Sequence, residues 1–246
     1  CMDRHCPPNY VETTSASLAD TEAFVVHTRA ANAALALPAG APPIVAPVVT
    51  PRFLPTCTEE LLRGLGALAA AHDVPIQSHL SESCDELAFS QELFPEYPSD
   101  AAAFAAFGLL RRPAVMAHGV HLQRDEVDTL KRHGAAIAHC PLSNFFFAKQ
   151  ALPVRQLLTM GVAVGLGTDV AGGYSPSMLC AMRHAVLAAK TLQFQRAPGC
   201  VFGDAGAPVA DARGGGGGGG EAAPTRARAK RPRATAAPPT AAPPTA

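Results

Sequence analysis

The sequence lacks any imbalance of charge. Lys plus Arg and Asp plus Glu each total 20, a formal net charge of zero, so the folded part offers a polyanion no basic face. It also lacks CxxC. Its 7 cysteines, Cys1, Cys6, Cys57, Cys84, Cys140, Cys180 and Cys200, are odd in number and scattered, which implies neither a disulfide framework nor a cysteine-type zinc site. A reducing, cytoplasmic setting is the simpler expectation. Every apolar stretch is broken by Pro, Gly or charge short of the roughly 18 residues a membrane span needs, and no signal peptide opens the chain. No membrane partner is expected, therefore, and no nucleic acid either. The first residue is Cys1 rather than Met, so the chain reads as a piece of a longer protein.

What is present is a core and a repeat. Of the 246 residues, 48% are hydrophobic, enough for one large domain. From about residue 44 to 173 an apolar run ends in polar residues, a loop and an amphipathic helix follow, and a Gly or Asp leads to the next run. This is the βα unit. "PIVAPVVTPRF" reads as a strand ending at Arg52, followed by a capping box of Thr56 and Glu59 and an apolar stripe of Leu61, Leu62, Leu65 and Leu68. "HDVPIQSHLSE", "PAVMAHGVHL", "AAIAHCPLSN" and "VAVGLGTDVAGG" read as four more strands. Helices are expected near Asp125 to His133, stopped by Gly134, and near Pro153 to Met160, with Pro153 in the first turn and Gly161 as the stop.

Five strands of this kind fit a parallel α/β architecture, either a doubly wound sheet or a (β/α)8 barrel. No GxGxxG follows any strand, which disfavours a dinucleotide-binding fold. After about residue 197 come Gly214 to Gly220, the basic stretch "RARAKRPR" and "AAPPTAAPPTA". These cannot bury a core, and residues 197–246 are expected to be a disordered, solvated tail beside a folded 1–196.

In either architecture the strand C-termini carry the chemistry, so Arg52, His79, His118, His139 and Asp169 are expected on one rim. A histidine ending one apolar strand is usually structural. Three such histidines and an aspartate on four strands make a ligand set suited to zinc or another divalent metal. Glu82, just beyond His79, is then the candidate proton carrier for hydrolysis. Asp169 has a rival reading as a helix cap, which "DVAGGY" is too glycine-rich to favour. His72 and His133 sit at helix C-termini, where positive charge suits the dipole, and His121 and His184 have no strand-end context. Cys140, between small apolar residues and Pro141, reads as buried filler rather than a nucleophile. The HxE and PCxxC zinc signature of nucleobase deaminases is absent, so any metal belongs to a different fold.

"QSHLSE", "VMAHG", "AHCPLSN" and "GLGTDVAGGYSPSML", with "CMDRHCPPNYVETT" and "TPRFLPTCTEELL", resemble in order the guanine deaminase family of the amidohydrolase superfamily, up to about "LQFQR". The resemblance implies a partial (β/α)8 TIM barrel of the metal-dependent amidohydrolase type, about strands 4 to 8, that hydrolyses guanine to xanthine and ammonia with one zinc per site. His79 and Asp169 then correspond to metal ligands that also touch substrate, and Glu82 to the proton shuttle, with Asp169 sharing the proton of the attacking water. His118 would hold water or substrate, Arg52 with Phe53 would read the purine, and His139 stands behind them. A homodimer is implied by resemblance alone.

The family's HxH ligand pair occurs nowhere in these residues, nor does the region bearing its guanine-reading glutamine, and the segments expected after the eighth strand are replaced by the tail. The chain alone is therefore expected to be a poor enzyme. The competing readings are a non-catalytic amidohydrolase-like interaction protein, and a deaminase or chlorohydrolase of another heterocycle.

Overall fold

Four short strands carry the architecture: β1 (Ile76–Leu80), β2 (Ala114–His118), β3 (Ala136–His139) and β4 (Ala163–Leu166). All pair in parallel, in the order β1-β2-β3-β4. The computed structural model describes residues 1–195 apart from 36, 37 and 39, and the tail expected at 197–246 lies outside them. Sequential order favours the barrel of the two architectures left open by the sequence. A doubly wound sheet reverses its strand order at a switch point, whereas a barrel adds each strand beside the one before. The chain is a partial (β/α)8 barrel.

The helices are α1 (Thr14–Ala34), α2 (Glu59–Ala71), α3 (Cys84–Leu93), α4 (Asp100–Ala106), α5 (Arg124–His133), α6 (Pro141–Ser143), α7 (Val154–Met160) and α8 (Met178–Gln195). Gly134 and Gly161 end α5 and α7 in the left-handed conformation, at φ 67° and 88°, as the sequence leads one to expect. Two helix starts differ from expectation. Pro153 precedes α7 as its N-cap rather than lying in its first turn. Thr58, not Thr56, caps α2, accepting from the Leu61 N–H at 3.2 Å, because Leu54–Thr56 has already closed into a buried 3-10 turn. Thr58 is fixed in turn by Asp3, whose carboxylate accepts from its N–H at 2.7 Å and its hydroxyl at 2.6 Å.

The expected strand ending at Arg52 shrinks to one parallel bridge, Val49 to Ile76. Pro47 and Pro51 bracket that bridge and have no N–H for a ladder, so pairing is confined to the Val49 N–H donating to the Pro75 carbonyl at 2.9 Å and to Gln77 and His79 donating to the Val49 and Arg52 carbonyls, both at 3.0 Å. The expected leucine stripe of α2 is present: Leu61, Leu62 and Leu65 are fully buried, and Leu68 is partly so. They pack in one cluster with Ile76, Leu80, Phe104, Met116, Leu130 and Ile137. The sheet buries one face only. Ile76, Ser78 and Leu80 of β1 and Ala114, Met116 and His118 of β2 are covered, while Gln77 and Val115 are open. At the far edge β4 has no buried residue, and along α8 only Ala181 and Ala188 are buried.

Candidate active site

The strand endings meet at one rim. One ligand-capable atom from each of Glu82, His118 and Asp169 lies within 4.8 Å of the others. Their chain positions are far apart: Glu82 follows β1, His118 ends β2, and Asp169 follows β4. His118 is buried, with Glu82 Oε1 3.7 Å from its Nδ1 and Asp169 Oδ2 4.0 Å from its Nε2. Both carboxylates are half-buried, so the rim joins a dry imidazole to two acids that water reaches.

The backbone at these points is bent sharply. Ser81, His118 and Asp169 all have positive φ, at 48°, 70° and 49°, although none is glycine. Side chains so held cost of order 1–3 kcal/mol each and persist where the surroundings over-determine them, a pattern concentrated at functional sites. Glu82 is held by its own helix start: Glu86 Oε2 accepts from the Glu82 N–H at 2.7 Å and the Ser83 N–H at 3.3 Å, while the Ser83 hydroxyl caps α3.

His79 is not in the close trio, but its ring stacks on that of His118, centroids 5.4 Å apart and planes 17° apart. Its Nδ1 lies 2.6 Å from the Arg52 carbonyl. A carbonyl only accepts, so Nδ1 carries the proton and Nε2 is left with a free lone pair, the tautomer a metal-binding imidazole requires. Arg52 thus serves the rim through its backbone. Its exposed guanidinium lies over the Phe53 ring, 5.8 Å from the centroid, with Nη1 3.6 Å from Met2 Sδ. Phe53 in turn meets the His79 ring edge-on at 6.3 Å.

The cap reading of Asp169 falls, because α8 begins only at Met178 and Ser177 caps it, accepting from the Cys180 N–H at 3.3 Å. Cys140 is buried as expected, and burial first, then Asp169 and Glu82, pushes its thiol up to about 12, which removes it as a nucleophile. His121 bonds the Ala148 carbonyl at 3.0 Å through Nε2, and His184 bonds the Cys180 carbonyl at 2.8 Å through Nδ1; both read as packing residues.

Sequence reasoning gave Asn144 and Glu86 no role. Asn144 is fully buried between His118 and His139. It stands in "AHCPLSN", yet nothing in a single sequence marks that amide as facing two imidazoles. Glu86 had a legible signal, the Ser83 to Glu86 capping spacing, which went unread beside Glu82.

The donor set suits a divalent first-row cation. His118 Nε2 is buried with no hydrogen-bond partner, beside two carboxylates, and His79 Nε2 has its lone pair free.

Residues 5–205 match the amidohydrolase family, and the chain belongs to it. Within that family its relatives include guanine deaminases. That of Dictyostelium discoideum is 41% identical over 186 residues, covering 76% of this chain and 39% of its own length. That of Homo sapiens is 42% identical over 193 residues, covering 78% and 40%. The crystal structure of the enzyme from C. acetobutylicum with bound guanine superposes with a TM-score of 0.73 at 34% identity, over 82% of this chain and 46% of that one. The chain thus spans less than half the length of each of these relatives.

Proposed function

We propose that this rim serves the hydrolytic deamination of guanine to xanthine and ammonia, with His79 and Asp169 as ligands of one zinc. The observation that carries the reading is the meeting of Glu82, His118 and Asp169 at the C-terminal ends of parallel strands, in a chain whose relatives are guanine deaminases. Zinc, when bound, supplies the Lewis acidity that makes water nucleophilic near neutral pH. Glu82 takes a proton from the attacking water and passes it to the departing amino nitrogen, its half-buried carboxylate being open to solvent at the rim. Asp169 shares the water's proton. His118, locked in place by burial, holds water or substrate at its Nε2. Arg52 donates to a ring nitrogen or the carbonyl of guanine while Phe53 backs the purine. Guanine and water are the substrates, the cytoplasm the compartment, and a homodimer the assembly.

The test pairs this chain, in cis or in trans, with a strand bearing the HxH pair, and measures zinc content and xanthine formed from guanine. Glu82→Gln is expected to lose about 10²-fold or more in turnover at unchanged zinc content. Near-normal turnover removes the proton-carrier role, and lost zinc makes Glu82 a ligand instead. If the complete site binds one zinc, leaves guanine untouched and deaminates another heterocycle, the substrate assignment fails.

A further inference from the structure

Behind the rim three buried polar side chains form a row. His118 Nδ1 lies 2.9 Å from Asn144 Oδ1, and Asn144 Nδ2 lies 3.3 Å from His139 Nδ1. His118, Asn144 and His139 are at most 1% exposed, so water cannot replace either bond. We propose that Asn144, backed by His139, is a positioning residue that holds His118 as the Nδ1–H tautomer and so keeps its Nε2 lone pair free beside Asp169.

Donors and acceptors along the row must match. An amide has one accepting end and one donating end, and a neutral imidazole has one N–H. With both bonds kept, the two imidazoles must carry their protons on opposite nitrogens. Oδ1 facing His118 makes it Nδ1–H and leaves its Nε2 bare; Nδ2 then needs a lone pair at His139 Nδ1, which places the His139 proton on Nε2. This requires His139 to stay neutral. Its burial first, and the nearby His118 second, lower its pKa from 6.5 to about 4, so it remains an acceptor at neutral pH.

The backbone fixes the amide in this role. Asn144 opens a π-helical segment, Asn144–Ala148, directly after α6, and its N–H bonds the Cys140 carbonyl at 2.9 Å. Such segments recur at functional sites. Glu82 Oε1, 3.7 Å from His118 Nδ1, is beyond hydrogen-bond range, so the amide and not the carboxylate takes that proton. The opposite amide orientation would place an N–H on His118 Nε2 and close the lone pair that a cation or water at the rim uses. The inference rests on His118 belonging to the reacting rim, and not on which heterocycle reacts there.

The test is long-range 15N–1H correlation on the 246-residue chain with ring-labelled histidine near pH 7. In the unaltered chain His118 is expected to show a protonated Nδ1 and a bare Nε2, with His139 reversed. Asn144→Asp, which accepts from both rings, is expected to keep the His118 tautomer and switch His139 to Nδ1–H. Asn144→Leu frees both rings to exchange tautomers. His139→Asn, whose side-chain oxygen can accept at the Nδ1 position, is expected to preserve His118, and His139→Leu to release it. A His118 protonated on Nε2 in the unaltered chain overturns the inference, as does a tautomer unchanged in Asn144→Leu. If Asn144→Leu fails to fold, the switch of His139 in Asn144→Asp decides, and its absence is equally fatal. Guanine enters none of these measurements, so a chain that shows the lock yet supports no xanthine formation refutes the deaminase reading alone.

Discussion

Ser81 shows how much the rim depends on single backbone angles. It is fully buried at φ 48°, and its hydroxyl has no hydrogen-bond partner. A left-handed L-residue costs about 1–2 kcal/mol, whereas glycine adopts that angle freely at an entropic cost of about 0.5–1 kcal/mol. Ser81→Gly is therefore expected to raise stability by up to about 1 kcal/mol, read as a shift in the urea midpoint; a lower midpoint would show that the orphan hydroxyl matters to packing. The identities of His79, Glu82, His118 and Asp169 were legible because a polar residue ending an apolar strand is a pattern in sequence. The positive φ at Ser81, His118 and Asp169 was not, because none is a glycine to mark the bend. Asn144 was illegible for a different reason, since its partners come from β2 and β3 and meet it only after folding.

Among the elements, α2 illustrates a conflict between local preference and packing. Gly66 lies inside this helix, where alanine is ordinarily favoured by about 1 kcal/mol. A Cβ there would collide with the Phe107 carbonyl oxygen at the end of α4, and backbone cannot swing aside. Gly66→Ala is thus expected to destabilise by about 2 kcal/mol net, measured by chemical denaturation, because overpacking outweighs propensity. Unchanged or increased stability would mean that α2 and α4 separate without cost. The βα alternation and its glycine stops were readable in the sequence, since periodicity and left-handed caps are local. The strand expected before Arg52 was misread: Pro47 and Pro51 signal its failure, and the bridging residue Val49 is chosen by its neighbour strand and not by itself.

At the scale of the whole molecule, the starts of α3, α4 and α5 gather three buried carboxyls, Glu86, Asp100 and Glu126. Burial first, then a neighbouring carboxylate, pushes Glu86 and Asp100 up to about 7; burial also raises Glu126. Between about pH 4 and 7 the folded chain therefore holds protons that the unfolded chain has released, so this contribution is full below pH 4 and lost as pH rises through 7. His139 works the other way. Its depressed pKa, about 4 against 6.5, gives stability that is kept above pH 6.5 and lost on acidification. Comparing the chain with Asp100→Asn at each pH cancels His139. Relative to the variant, the unaltered chain is expected to lose on the order of 5 °C in Tm between pH 5 and pH 8, by calorimetry. A difference flat in pH would show that Asp100 is ionised in the folded state.

The sequential order of the four strands has a consequence for synthesis. A ribosome releases the chain N-terminus first, and each strand pairs with the one made just before it. His79 and Glu82 emerge early with β1, His118 follows with β2, and the amide that sets its proton comes after β3. Asp169 arrives last, beyond β4. Until that final strand docks, the nascent rim holds donors without their closing carboxylate, so a stray cation finds no finished cage on a half-made chain.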